Sequence, residues 1–232
     1  MPIMTNNSDN TIVILGDGNF PTAEYTLDII KKTSCIICCD SSILKLLNYY
    51  NTSNIESIKK QLYIVGDMDT LPAEYQKKFS SYLHKDPCQE TNDQTKAFMF
   101  ALKLNPSKII LTGTTGGRED HTLGNISLLA DYGEVLNNGN REGKGLDSIE
   151  IITDNGIFRP LYNTATIACK KGGQISIFSF DSSVKIKSAG LKYPTDNVLF
   201  DMWWKATLNQ ATGDSFTLTF NHPAKTLLFF AF

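Results

Sequence analysis

The 232-residue chain is 41% hydrophobic and 20% charged, an ordinary soluble globular composition with length enough for one large domain or two modest ones. Its formal net charge of -2 and the lack of any Lys/Arg cluster argue against a nucleic-acid partner. No apolar run approaches the roughly 18 residues of a membrane span, and the polar start, Met1 to Asn10, lacks the regions of a signal peptide, which points to the cytoplasm.

In chain order, Thr11–Leu15 reads as a first buried strand, broken by Gly16-Asp17-Gly18-Asn19. Pro21 and Thr22 open a helix to about Lys32. Cys35–Cys39 is a second strand ending at Asp40, and Ser41 can cap the helix that follows, to about Tyr50. The five cysteines are an odd set at irregular spacing, so they read as reduced thiols, and the Cys35-x-x-Cys38 pair as buried strand residues rather than a metal or redox motif. Leu62–Val65 is a third strand, and Gly66-Asp67-Met68-Asp69-Thr70 follows it. A helix starts at Pro72 and runs to about Tyr82. Asn92 or Asp93 caps the next, whose apolar positions Ala97, Phe98, Ala101 and Leu102 keep the 3.6 period until Pro106 ends it. Lys108–Thr112 is a further strand, followed by the glycine-rich loop Gly113 to Arg118 and a helix from about Asp120 to Asp131. Buried strands alternating with helices predict a Rossmann-like parallel α/β/α domain.

The pattern changes after Tyr132. Asn137 to Asp147 reads as a polar, glycine-rich loop. Beyond it come short strands with turns between them, at 149–153, 157–161, 165–168, 174–180, 184–186, 216–220 and 226–230. These predict a small all-β sandwich. The expected division is an α/β domain over 1–140 and a β-sandwich over 141–232.

Ligands of open α/β sheets bind at the carboxyl ends of the strands. Asp40, Asp67, Asp69, Asp93, Arg118, Asp120, His121 and the Gly18–Asn19 turn all fall there. Asp67 and Asp69, spaced i, i+2 beside Gly66, are expected to share one side of an extended chain. Carboxylates in such a set suit Mg²⁺, which takes oxygen ligands together with substrate phosphates. Asp67 and Asp69, with Asp40 or Asp93, are the candidate metal ligands. Arg118 and the amides around Gly116 and Gly117 suit phosphate oxygens. Lys96, one turn into its helix, can reach the rim. Asp40 and Asp93 could equally be helix caps, and His121 carries no catalytic assignment. No P-loop and no protein-kinase motif occurs.

Three segments then carry a resemblance. Gly66-Asp67-Met68-Asp69-Thr70, Asn92-Asp93-Gln94-Thr95-Lys96-Ala97 and Gly116-Gly117-Arg118-Glu119-Asp120-His121-Thr122-Leu123-Gly124-Asn125 resemble, in order, the motifs of the thiamine pyrophosphokinase family. Downstream, Gly190-Leu191-Lys192-Tyr193 and Thr207-Leu208-Asn209 are similar to segments of its thiamine-binding domain. The resemblance implies pyrophosphoryl transfer from ATP to thiamine, with release of AMP. It also implies Mg²⁺ and a homodimer that binds thiamine near its subunit interface. On it, Asp67, Asp69, Asp93, Arg118 and Asp120 are catalytic. Asp40, Gly18, Asn19, Lys96, Thr112, Gly116, Gly117, His121, Asn125, Lys192 and Asn209 bind substrate or nucleotide. The chain departs from the family patterns with Thr70 for Ser, Asn92 for Thr and Leu208 for Ser. The other classes to weigh are a Mg-dependent nucleotide hydrolase on the same rim and a non-catalytic thiamine or nucleotide sensor.

Overall fold

Four apolar runs near the start of the chain form parallel strands, as predicted, and a fifth short strand, Leu83–Lys85, absent from the sequence reading, joins them. The computed structural model describes residues 10–139 and 146–232. Their contacts gather into two units, Met1–Asn125 with Gly139–Ile149, and Ile126–Asn138 with Glu150–Phe232.

In the first unit the elements are β1 (Thr11–Leu15), α1 (Glu24–Lys32), β2 (Cys35–Cys39), α2 (Ser42–Tyr49), β3 (Gln61–Gly66), α3 (Ala73–Lys78), β4 (Leu83–Lys85), α4 (Asp93–Leu102) and β5 (Lys108–Thr112). The strands lie in the order β5-β1-β2-β3-β4, every pair parallel. All five residues of β2 are buried, as a central strand covered on both faces requires. Its three cysteines are free, buried thiols, and burial pushes Cys38 up to about 12. The parallel order carries the carboxyl ends of β1, β2, β3 and β5 to one edge, and the loops after them build the site.

Helix boundaries differ in detail from the sequence reading. α1 begins at Glu24 rather than at Pro21 or Thr22. Ser41 precedes α2 without a side-chain capping bond, because its hydroxyl donates to Asp17 instead. α3 stops at Lys78, and Ser80–Tyr82 forms a separate 3-10 turn. Asn92 does cap α4, its Oδ1 accepting the Thr95 amide at 2.9 Å. The next helix, α5 (Glu119–Gly139), is longer than the expected Asp120–Asp131. Gly133 lies within the added length, and a Cβ there would sit 2.6 Å from the Pro160 side chain, so the glycine serves close packing inside the helix. Lys225 holds this part of α5 through Asp131 at 2.7 Å and Glu134 at 2.9 Å. Of the polar loop expected over Asn137 to Asp147, Asn137–Gly139 is helical and 140–145 lies outside the described residues.

The second unit is antiparallel. Its strands are β6 (Ser148–Thr153), β7 (Gly156–Leu161), β8 (Ala165–Ala168), β9 (Gln174–Ser179), β10 (Ile186–Ala189), β11 (Ala206–Gln210), β12 (Ser215–Phe220) and β13 (Thr226–Ala231). One layer runs β11-β9-β13-β7-β6 and the other β10-β12-β8. Ile175, Ile177 and Leu228 from the first layer meet Ile186, Phe216 and Leu218 from the second in one core. Alternating residues thus face inward, as in a sandwich. β10 lies later than the expected 184–186, although Val184 still joins the core. β11 is absent from the sequence reading. Its register shifts between Ala206 and Asn209, and Leu208 is left-handed at φ 60°, so the period-two signal is broken there.

Candidate active site

The loop after β3 brings two carboxylates together. Alternation along a strand is not the means: β3 ends at Gly66, and the next residues turn. Met68 is buried and left-handed at φ 67°, and the Asp69 amide donates to Asp67 Oδ1 at 3.1 Å. This local Asx-type turn folds Asp69 back toward Asp67. Asp40, also left-handed at φ 43°, comes in from the end of β2. One carboxylate oxygen from each of Asp40, Asp67 and Asp69 lies within 4.8 Å of the others, a set that could hold a metal ion. Gly66 makes the approach possible, since a Cβ there would meet Asp40 Cβ and Asp93 Oδ1, each at 3.1 Å.

Asp93 stands outside that trio. Its Oδ1 accepts from Lys96 Nζ at 3.2 Å, and the same ammonium lies 3.6 Å from Asp67 Oδ2. Lys96 is therefore a buried counter-charge, not a solvated lysine. Burial raises the Asp93 carboxyl above its ordinary range, outweighing the nearby Lys96. Burial also raises Asp40, against the Thr70 amide bond that lowers it. Asp67 moves the other way, chiefly through the Asp69 amide. Burial disfavours the Lys96 ammonium, but Asp93 and Asp67 together hold it above its usual value.

Asp67, Asp69 and Asp93 line a cavity of about 660 Å³ together with Gly18, Arg118 and Asn125, while Asp40 and Lys96 are not part of its lining. The lining also takes in Gly116, Gly117 and His121. Both Gly116 and Gly117 have positive φ, and a Cβ on Gly116 would strike the Asn19 amide. Arg118 forms a two-point pair with Asp120, Nε to Oδ1 at 3.1 Å and Nη2 to Oδ2 at 2.6 Å. That pairing holds Asp120 at about 2, and both side chains are largely exposed. Asn125 donates to Thr114 O at 2.8 Å and accepts from Asn92 at 2.9 Å, tying the glycine-rich loop to the start of α4. Thr112 closes β5 with its hydroxyl buried and unpartnered. A second cavity of about 580 Å³, lined by Phe20, Leu27, Leu44 and Tyr49 among others, holds no carboxylate.

Lys192 and Asn209 belong to the second unit. Lys192 is exposed, its ammonium 5.5 Å from the Tyr193 ring centroid. Asn209 is buried and fully committed. Its Oδ1 accepts the Tyr193 and Gln210 amides, and its Nδ2 donates to Tyr193 O at 2.7 Å. It shapes the Lys192–Tyr193 turn.

With this geometry in hand, two family models match the chain. "Thiamin pyrophosphokinase, catalytic domain" matches residues 26–138, and "Thiamin pyrophosphokinase, substrate-binding domain" matches 156–229. The chain belongs to the thiamin pyrophosphokinase family. Solved thiamin pyrophosphokinases share its fold. The yeast structure matches with a TM-score of 0.73 at 14% identity, over 98% of this chain and 88% of that one. The Candida albicans structure matches with 0.71 at 18%, over 97% and 90%. The Bacillus subtilis structure matches with 0.69 at 21%, over 95% and 98%. Comparison with curated proteins gives no match.

The sequence reading overlooked several thiamin pyrophosphokinase rim residues. Asp17, Gln89, Gln94 and Thr114 all line the cavity. Gln94 and Thr114 are buried and keep an oxygen without a partner. Asp17 lay inside the Gly16–Asn19 break already noted. Gln94 had no signal, because a polar residue in a first helical turn is ordinary.

Proposed function

We propose that the chain transfers the pyrophosphoryl group of ATP to the hydroxyl of thiamine, giving thiamine diphosphate and AMP. The observation that carries this reading is the convergence of Asp40, Asp67 and Asp69, beside Asp93 and Lys96, in a chain of the thiamin pyrophosphokinase family. Asp40, Asp67 and Asp69 would hold Mg²⁺. The donor set is all oxygen, and Asp40 Oδ1 is buried with no partner. When bound, the ion neutralises charge on the ATP phosphates.

The chain's own groups do the rest. Amides of the Gly113–Gly117 loop and the Arg118 guanidinium take phosphate oxygens as charge builds. Such transfers are catalysed mostly by positioning and electrostatic stabilisation. Asp93, outside the metal-facing trio and raised by burial, is the candidate acceptor for the thiamine hydroxyl proton.

The same reading assigns 1–140 to catalysis and 141–232 to thiamine. It makes the protein a cytoplasmic homodimer with thiamine near the subunit interface. Exposed Tyr193, Leu199, Met202, Trp204 and Leu208 support an interface in the second unit. Among the described residues no helix is long and apolar enough to cross a membrane. The deciding experiment mixes protein, ATP, Mg²⁺ and thiamine. AMP and thiamine diphosphate should appear together. AMP alone, or neither product, overturns the reading.

A further inference from the structure

The loop after β1 is held by groups with no place in the reading so far. Lys45, on α2, donates from Nζ to Asp17 O at 2.6 Å and Gly18 O at 2.7 Å, and pairs with Asp17 Oδ1 at 2.7 Å. Ser41 donates to Asp17 Oδ2 at 2.6 Å, and Thr70 donates to the Ser41 hydroxyl at 3.2 Å. Loops after β1, β2 and β3 are thereby joined through one carboxylate.

The backbone of the same loop is laced to the strand beside it. The Gly16, Gly18 and Asn19 amides donate to Thr112 O, Gly113 O and Thr115 O at 2.8, 2.7 and 2.9 Å. A Cβ on Gly16 would come within 2.8 Å of Gly113 O, and one on Gly18 within 2.4 Å of Thr115 O. Among residues 16–19 the Asp17 amide alone has no backbone acceptor among the described residues. Asp17 and Gly18 both line the cavity that also holds Asp67, Asp69 and Asp93. An anionic ligand entering a cavity with four carboxylates meets repulsion that rises as the surroundings lose water. Of the four, Asp17 has its own lysine.

We propose that Lys45 is a positioning residue of the nucleotide site. It clamps the Gly16–Asn19 loop and cancels Asp17, so that a polyphosphate meets the open Asp17 amide rather than a bare carboxylate. The proposal rests on the nucleotide part of the function above and not on thiamine as acceptor.

The test measures binding of inorganic triphosphate with Mg²⁺, alongside KM and kcat for ATP in the full reaction. Lys45→Met should weaken triphosphate binding and raise KM for ATP, each about tenfold, with kcat changed less than about threefold. The penalty should shrink as salt rises, because it is a charge effect. Lys45→Arg should bind as wild type does. In the double variant Asp17→Asn/Lys45→Met, most of the loss should return, since no unpaired carboxylate remains. Asp17→Asn alone should bind triphosphate as well as wild type or better, which keeps the test decisive if Lys45→Met does not fold. Unchanged binding in Lys45→Met, no recovery in the double variant, or weaker binding in Asp17→Asn would each overturn the proposal alone. A wild-type chain that binds no triphosphate would overturn the nucleotide reading, and this proposal with it.

Discussion

The two units treat polarity in opposite ways. Among the described residues, all six buried side-chain polar atoms without a partner lie in the first unit, on Thr26, Asp40, Tyr50, Gln94, Thr112 and Thr114. Four of these six sit at the carboxyl ends of the strands or in the first turn of α4, where the cavity is built. The second unit closes its polar groups on itself. Asn209 spends its whole amide on backbone, Asp181 takes Ser183 and His222, and Glu150 pairs with Arg159. What the second unit leaves open is apolar, including Tyr193, Leu199, Trp204 and Leu208. An unsatisfied buried polar group costs about 1–3 kcal/mol. Several such groups gathered in one place are open to completion by water, an ion or a ligand. Exposed apolar surface asks instead for another surface or a ring.

Five substitutions would break or sharpen that contrast. The largest effect belongs to the rim. Asp67→Asn and Asp69→Asn should each lower kcat by at least about a hundredfold with thermal stability little changed, measured by product formation and thermal melts. Near-normal turnover in either would remove the metal role. Next comes Gly133→Ala, whose methyl would be forced against Pro160. It should cost about 2 kcal/mol in denaturant unfolding while the KM for ATP stays put. A change confined to ATP kinetics would contradict the packing role. Asn209→Ala strands the Tyr193 backbone groups. It should lower stability by about 1–2 kcal/mol and raise the KM for thiamine more than that for ATP. Equal effects on both substrates would erase the distinction between the units. The smallest is Leu208→Gly, which should stabilise by about 1 kcal/mol, because Leu208 holds a left-handed φ of 60° while largely exposed. A loss of stability there would mean that the leucine side chain is needed where it stands.

Much of this was legible in the sequence, for identifiable reasons. Apolar runs such as Cys35–Cys39 and Lys108–Thr112 have one compatible environment, a buried parallel strand, and the α/β order follows from them. The site was legible as a set of motifs at strand ends, which is topology. Its geometry was not. Asp67 and Asp69 converge through a turn at Met68 and not by strand alternation, and no pattern of side-chain types announces a left-handed residue that is not glycine. Lys96 read only as able to reach the rim, because its burial depends on Asp93 and Asp67 arriving together. β11 was hidden by its bulge, and the close approach of Gly133 to Pro160, 27 positions on, left no mark in the pattern. In each case the missing information was a contact between distant residues.

Met68 has a last consequence. Its side chain is buried, while its neighbours on either side are Asp67 and Asp69, two carboxylates of the set that could hold a metal ion. The aim of those oxygens is thus set by how firmly one flexible thioether is gripped from below. Warming loosens such a grip before it separates hydrogen-bonded strands. Activity should accordingly be lost on heating at a lower temperature than the circular dichroism signal of the sheet.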